Sequence, residues 1–239
     1  MKKNDAFQRI KRFYKAAASG PDADGFAVLL DGRKAKTPSA RPLRLPTQAA
    51  ADLVASEWAA QVEWIVFSDM PASRHAFTAI DRVVEARAET AAELGRFAAS
   101  DLLCYFAEEP KALVARQREK WTPLLDWAED ELGLMFVRTT GILYQAQPPE
   151  TLHRAEELAG ELNDFALAGL AWASALFGSA ILAFALQRGR IGGYEAFELS
   201  RLDEDFQVEQ WGVDDEDAER TAKMREEADL LERWFAALR

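Results

Sequence analysis

The sequence predicts an α+β protein with a small N-terminal mixed domain (residues 1–70) and a larger all-helical C-terminal domain (residues 71–239). In the first domain, an apolar run at residues 26–30 precedes Asp31-Gly32, a strong signal for a two-residue hairpin turn and hence for an antiparallel sheet. Beyond Met70-Pro71, helical patterns dominate the chain. The length is sufficient for a sizeable core.

The N-terminal elements follow one another closely. Residues 26–30 are predicted to form a strand and residues 33–37 the returning strand. Residues 41–46 are predicted to be extended, because each proline biases the residue before it toward β or polyproline geometry. Thr47 is a good N-cap for a helix that runs to about residue 63, and residues 64–67 then form another short strand.

The C-terminal domain is predicted to consist of helices separated by glycine and proline. Residues 134–147 are expected to be irregular or extended. A glycine-rich stretch at residues 189–193 follows a helix, so it is expected to end that helix and start the next. The predicted helices cover residues 73–106, 111–132, 150–188 with a break near 175–179, 193–211 and 215–238.

Charge is unevenly distributed along the chain, whose net charge is −11. Residues 1–46 hold 11 Lys and Arg against 4 Asp and Glu, and residues 195–239 hold 6 against 15. This asymmetry favours oriented docking of a partner. General nucleic-acid binding is not expected, because phosphate contacts need a dominant basic surface; the basic N-terminal run from Lys2 to Lys15 is a possible local exception.

Several features bear on the compartment. Cys104 is the only cysteine, which excludes an intramolecular disulfide and fits a reducing environment; its apolar neighbours predict a buried side chain. The first residues lack the apolar region of a signal peptide.

Residues 165–186 contain no charged side chain over 22 positions, but they are rich in alanine and interrupted by glycine and serine. Two consecutive buried helices are therefore expected there rather than stable membrane insertion.

The sequence offers little support for catalysis. It has no phosphate-binding loop, dinucleotide fingerprint or nucleophile elbow. Glu150 and His153 have the Glu-x-x-His spacing of di-iron bundles, but one copy is too few for such a site, so no metal or cofactor is predicted. Carboxylates are numerous, which leaves a carboxylate-dependent hydrolase of a small substrate as the alternative function. The acidic residues 214–217 are interpreted as a solvated helix start.

The most distinctive segment is residues 200–212, interpreted as the last turns of a helix that ends at Gly212. Leu199, Leu202 and Phe206 share one face, which is predicted to face the core.

Trp211 lies on nearly the opposite side of this helix, with Glu204 and Gln207 as neighbours. Either it packs against a second element of the same fold, or it contacts a partner protein, since tryptophan is enriched at interface hot spots. The residues predicted to bind a partner are Asp203, Glu204, Gln207 and Trp211.

These residues belong to a wider pattern that resembles the F-type ATP synthase assembly chaperones that attend the alpha subunit. In the C-terminal half the resemblance is carried by residues 178–186, 200–207 and Trp211-Gly212. In the N-terminal half and the middle it is carried, in order, by Arg12-Phe13-Tyr14, residues 30–33, Lys36-Thr37-Pro38, Leu43, Leu45-Pro46, Glu57-Trp58, Gln61, Met70-Pro71, Asp81, Asp101-Leu102, Tyr105, Gln117, Trp121, residues 123–125 and Trp127.

The resemblance implies a non-catalytic chaperone that works without ATP hydrolysis and keeps the free alpha subunit from aggregating. It implies that an acidic residue of the Leu-acidic-acidic-x-aromatic-Gln motif, Asp203 here with Glu204 adjacent, is functionally important. A mitochondrial transit peptide and the histidine-aspartate pair after Trp-Gly are absent, which indicates a bacterial cytoplasmic member. The protein is expected to be monomeric. Trp58, Trp121 and Trp127 are expected in the core, because each has apolar helical neighbours.

Overall fold

The structure is a computed structural model that describes residues 10–212 and 215–239, without the side chains of residues 215–217. The basic residues up to Arg9 and the acidic side chains of residues 214–217, both discussed above, lie outside the described residues. The described residues up to Arg82, together with Ala237–Arg239, form one compact unit, and Val83–Ala236 form a second. The domain boundary predicted from the sequence lies before residue 71.

The first unit is built on small antiparallel sheets. Strand β3 (Gly25–Leu30) pairs along its whole length with β2 (Ala17–Asp22). On its other side it pairs with β4 (Arg33–Lys34) and β5 (Arg44–Leu45). A separate two-stranded sheet joins β1 (Ile10–Lys11) to β6 (Trp64–Ile65).

The hairpin predicted at Asp31-Gly32 is confirmed. Both turn residues have positive φ, 49° at Asp31 and 78° at Gly32, as a type I′ turn requires. Helix α1 (Gln48–Ala60) follows, and the Thr47 side chain caps it by accepting a hydrogen bond of 3.1 Å from Ala50 N. Helix α2 (Pro71–Thr78) comes next, and a π-helical turn at Ala79–Val83 follows it directly.

The second unit is mostly helical. It begins with α3 (Arg87–Ala98), and a 3₁₀ turn at Leu102–Cys104 leads to β7 (Tyr105–Phe106). Strand β7 pairs in parallel with β8 (Thr139–Thr140), so the predicted all-helical domain contains one short strand pair. The remaining helices are α4 (Lys111–Leu132), α5 (Pro149–Gly160), α6 (Asp164–Phe177), α7 (Ala180–Gln187), α8 (Gly193–Ser200), α9 (Leu202–Trp211) and α10 (Asp215–Ala237).

The long apolar run folds as two helices. Helix α6 ends at Gly178, whose φ of 63° is left-handed, and Ser179 caps α7 by accepting a hydrogen bond from Leu182 N. Ile181–Leu186 are each at most 1% exposed. Among the described residues, no helix is long and apolar enough to cross a membrane.

The core predictions for single residues are confirmed. Trp58, Trp121 and Trp127 are between 1% and 7% exposed, and Cys104 is fully buried. Burial raises the pKa of the Cys104 thiol far above its ordinary value, so this side chain behaves as a small hydrophobe.

Three helix predictions are wrong in their extent. The helix predicted over residues 150–188 is divided not only near Gly178 but also earlier, because α5 ends at Gly160 and α6 begins at Asp164. The helix predicted over residues 73–106 is divided into α2, a π-helical turn, α3 and a 3₁₀ turn. The helix predicted over residues 193–211 is divided at Arg201, whose φ of −114° and ψ of 16° are not helical. Helix α9 therefore begins at Leu202, directly before the acidic residues of interest.

Candidate functional site

The predicted partner-binding residues all lie on α9, which contacts α4 mainly through polar groups. Leu202 is its one fully buried residue. The guanidinium of Arg116 on α4 donates two hydrogen bonds, of 2.8 and 2.9 Å, to the carboxylate of Glu209. The same guanidinium lies 5.1 Å from the centre of the Phe206 ring, within the range of a cation–π contact.

A second polar contact fixes the start of α9. Gln117 of α4 is fully buried, and its Nε2 donates a hydrogen bond of 2.7 Å to Oδ1 of Asp203. Its Oε1 accepts a hydrogen bond of 2.7 Å from Ala107 N, just after β7. Gln117 therefore connects the chain after β7 with the first turn of α9, and both its amide oxygen and its amide nitrogen are hydrogen-bonded.

Asp203 differs from the adjacent Glu204 because it is half-buried. Burial raises the pKa of the Asp203 carboxyl, the hydrogen bond from Gln117 opposes that rise, and the charge of Glu204 adds to it. Glu204 and Gln207 are exposed, and the side chain of Trp211 is 82% exposed. The first explanation for Trp211, packing against another element of the fold, is therefore wrong.

A groove of about 1040 Å³ opens beside α9. Asp203, Glu204 and Gln207 line it, whereas Trp211 is not among its lining residues. Among the described residues, four carboxylates line this groove, which is called the acidic groove below: Glu108, Glu109, Asp203 and Glu204. Apolar side chains contribute much of the remaining surface, among them Leu102, Phe106, Leu113, Leu176 and Phe177. Arg201, a buried cation, also lines the groove, together with the hydroxyl residues Ser100, Thr140 and Ser200.

One wall of the acidic groove is an exposed apolar segment. Ile142, Leu143 and Tyr144 are 97%, 81% and 69% exposed, and the first two line the groove. Three consecutive large apolar side chains in water are unusual for a folded domain, which makes this segment a candidate interaction surface. Residues 142–144 are called the apolar loop below.

The apolar loop is fixed at both ends. On one side, Gly141 N donates a hydrogen bond of 2.8 Å to Phe106 O, which continues the pairing of β7 with β8. On the other side, the buried Gln147 side chain accepts from Val137 N at 2.8 Å and donates to Val137 O at 3.0 Å. The exposed side chains therefore stand on a closed loop.

The sequence reasoning missed the apolar loop and Gln117 as parts of the site. Three large apolar residues after Gly141, inside a stretch predicted to be irregular, were a usable signal for the loop. Gln117 gave no such signal, because its role depends on a contact with a residue 86 positions away.

The geometry gives no support for a metal site. Among residues 10–212 and 215–239, no group of three or more His, Cys, Asp or Glu side chains is placed to hold a metal ion. The exposed His153 instead lies with its Nε2 3.2 Å from Oε1 of Glu157, one helical turn later.

The chain is similar to known proteins over nearly its whole length. A solved structure of Atp12 from Paracoccus denitrificans is 40% identical, with a TM-score of 0.90 over 96% of this chain and 99% of that one. The Atu1473 protein of Agrobacterium tumefaciens is 42% identical, with a TM-score of 0.88 over 96% of this chain and 86% of that one. The mitochondrial protein atp12 of Schizosaccharomyces pombe is 26% identical over 215 residues, which are 85% of this chain and 74% of the relative.

The class of protein defined by this fold is a molecular chaperone, and residues 11–129 match the family described as ATP12 chaperone protein. The chain belongs to the ATP12 chaperone family, which serves ATP synthase assembly. Its members are assembly factors and not enzymes, so the alternative of a carboxylate-dependent hydrolase is rejected.

Proposed function

We propose that this protein binds the unassembled alpha subunit of the F-type ATP synthase and prevents its aggregation, without hydrolysing ATP. The observation that carries the proposal is the acidic groove, in which the carboxylates of α9 stand beside the exposed apolar loop. A subunit without its assembly partners exposes apolar surface that favours aggregation. A protein that covers this surface stabilises the folded, unassembled form by mass action.

The two kinds of surface have different roles in this proposal. The apolar loop covers apolar surface of the client, which supplies most of the binding free energy. The carboxylates at the rim attract a basic patch on the client, which speeds association and sets orientation. Ile142, Leu143 and Tyr144 need no rearrangement to become available, because they are already exposed.

Within α9 the roles of the acidic residues also differ. Glu204 is exposed, so its charge acts at long range and is screened by salt. Asp203 is half-buried beside Gln117, so its charge is partly desolvated before a client arrives. A cation of the client that reaches Asp203 is therefore expected to contribute more to a slow dissociation rate than to fast association.

Trp211 is the proposed anchor at the other end of α9. Its indole is 82% exposed at the last position of the helix, before Gly212. Burying such a side chain in an interface removes a large apolar area from water, which is typical of interface hot spots. Gln207 lies on the same side of α9, one turn earlier, and offers a hydrogen-bonding group next to the indole.

The test is suppression of light scattering by the purified alpha subunit, diluted from denaturant into buffer with this protein. We expect the single variants Leu143→Ser, Glu204→Gln and Trp211→Ala each to protect less well than the unaltered protein. Matched controls are Val62→Ser, which changes a side chain that is 84% exposed, and Glu226→Gln, which removes an exposed charge on α10. If the control variants lose as much protection as the site variants, the acidic groove is not the client-binding site.

Nucleotide independence is part of the same proposal. Calorimetric titration of the protein with ATP or ADP is expected to give no specific heat, and protection of the alpha subunit is expected to be unchanged when nucleotide is omitted. Saturable binding that a second nucleotide displaces would contradict this. We further propose a cytoplasmic, monomeric protein, which fractionation of cells and sedimentation of the purified protein test directly.

A further inference from the structure

A second groove, of about 600 Å³, lies in the N-terminal unit. Its apolar floor consists of Tyr14, Leu30, Ala35 and Trp58, each 5% or 6% exposed. Phe13 stands beside this floor with 69% of its side chain exposed, and its ring centre is 5.4 Å from that of Tyr14 at an interplanar angle of 82°. An aromatic ring held edge-on against a buried neighbour offers a face on which another apolar group can pack.

The rim of this groove is basic. Arg33 and Lys36 are exposed, and neither forms an ion pair with any residue that the structure describes. Lys34 lies between them, but its ammonium is engaged with Asp22 at 2.5 Å. Two exposed cations with no ion-pair partner among the described residues stand out in a protein whose net charge is −11.

Among the described residues that line the groove, the one carboxylate is already occupied. Asp31 accepts hydrogen bonds of 2.9 to 3.1 Å from the backbone N–H groups of Lys15 and Ala16. These hydrogen bonds lower the pKa of the Asp31 carboxyl and hold the chain of residues 15 and 16 against the β3–β4 turn. The groups that remain available to a ligand are therefore the two cations, the Phe13 ring and the apolar floor.

We propose that this groove binds an extended acidic polypeptide segment that carries a leucine or an aromatic side chain. Its carboxylates pair with Arg33 and Lys36, and its apolar side chain packs between Phe13 and the floor. The charge of this groove is opposite to that of the acidic groove, so the two surfaces select different segments of partner proteins. This groove of the N-terminal unit, called the basic groove below, is thus a second docking surface.

The chemistry of the basic groove favours a polypeptide over a nucleic acid. Two available cations neutralise few phosphates, whereas nucleic-acid affinity depends on many such contacts. The floor of Tyr14, Leu30, Ala35 and Trp58 is apolar and suits a hydrocarbon side chain. The excess of acidic residues in the whole chain also opposes a polyanion at long range.

The test uses the full chain and a fluorescein-labelled peptide, Glu-Asp-Glu-Leu-Asp-Phe-Glu-Asp, with binding followed by fluorescence anisotropy. We expect saturable binding that weakens as salt is added. The double variant Arg33→Glu, Lys36→Glu is expected to bind about tenfold more weakly, because it replaces two attractive contacts with two repulsive ones. Phe13→Ala is expected to weaken binding about two- to tenfold through the lost aromatic contact.

Controls separate this site from general charge effects. Arg190→Glu changes an exposed cation in the other unit and is expected to bind the peptide as the unaltered protein does. Circular dichroism melting checks that the variants remain folded, which is expected because the altered side chains are exposed. The proposal is wrong if the double variant binds normally, if Arg190→Glu weakens binding equally, or if no saturable binding occurs.

Two further probes decide the class of ligand. A neutral peptide, with glutamine in place of each glutamate and asparagine in place of each aspartate, is expected to bind far more weakly, and equal binding by it would overturn the charge argument. A single-stranded oligothymidylate is expected not to displace the acidic peptide; displacement would show that the groove takes nucleic acid instead. Since none of these measurements uses the alpha subunit, their outcome is independent of the proposed chaperone activity.

Discussion

Replacing Asp203 in two different ways separates its charge from its hydrogen bond. Asp203→Asn removes the charge but retains an oxygen that can accept from Gln117 Nε2, whereas Asp203→Ala removes both. A hydrogen bond to a charged group contributes about 1.5–3 kcal/mol. Burial of the carboxyl, which raises its pKa, offsets part of the stabilisation that this hydrogen bond provides. We therefore expect Asp203→Ala to lower the free energy of unfolding by about 1–2 kcal/mol.

The two variants should therefore differ in a melting experiment. For a chain of this size, 1 kcal/mol corresponds to about 2–4 °C, so Asp203→Ala should lower Tm by roughly 2–8 °C. Asp203→Asn should lower the free energy of unfolding less than Asp203→Ala does, because the amide oxygen can still accept from Gln117 Nε2 and a neutral group is buried at lower cost. Thermal unfolding followed by circular dichroism, at the same pH and protein concentration for both variants, measures this difference.

In contrast to their stability, the chaperone activity of the two variants is expected to be reduced alike. If the charge of Asp203 contacts the client, both variants should protect the alpha subunit poorly, although Asp203→Asn keeps the fold intact. Because the pKa of Asp203 is raised, lowering the pH should also weaken protection by the unaltered protein before ordinary aspartates titrate. Equal Tm values for the two variants would refute the hydrogen-bond argument. Full protection by Asp203→Asn would refute the role of the charge.

Two further predictions concern the stability of the second unit. Asp101 is fully buried and accepts hydrogen bonds from Ser179 Oγ, Ile181 N and Leu103 N, so Asp101→Asn should destabilise by about 1–3 kcal/mol in denaturant titrations. Burial raises the pKa of Asp101 to about 6, so the folded state binds a proton more readily than the unfolded state. The contribution of Asp101 to the free energy of unfolding should therefore rise by on the order of 2–3 kcal/mol as the pH falls from 7 to 4. That gain should vanish in Asp101→Asn; a parallel pH profile for both proteins would contradict it. Gly193→Ala should lower Tm strongly, because an added Cβ would lie 2.2 Å from the backbone oxygen of Ala228; an unchanged Tm would show that α8 and α10 can separate at no cost.

Local signals accounted for the parts of the fold that were predicted correctly. Asp31-Gly32 has the positive φ values that its dipeptide type favours, and Thr47 caps α1 through its own hydroxyl. Gly178 and Ser179 mark the break in the apolar run, as their residue types suggest. At each of these positions the residue that determines the structure lies within a few positions of the element it ends or begins.

Long-range contacts explain the parts that were missed. Strand β2 has the sequence Ala-Ala-Ser-Gly-Pro-Asp, which has little intrinsic preference for β structure, and it is a strand because it pairs with all six residues of β3. The break at Arg201 has no glycine or proline to announce it. The division coincides with a hydrogen bond of 3.0 Å from the buried Trp121 indole to Leu199 O, a contact that spans 78 residues.

The same long-range contacts explain how α9 is held in place to present the proposed binding surface. A helix with only Leu202 buried gains little from the hydrophobic effect, and a ten-residue helix is marginal on its own. Three side chains of α4 compensate: Trp121 holds the end of α8, Gln117 holds the first turn of α9, and Arg116 holds its last turns through Glu209. Because these contacts order α9 before a client arrives, binding does not have to supply the free energy of ordering it. Its outward residues, Glu204, Gln207 and Trp211, are thereby left for a partner.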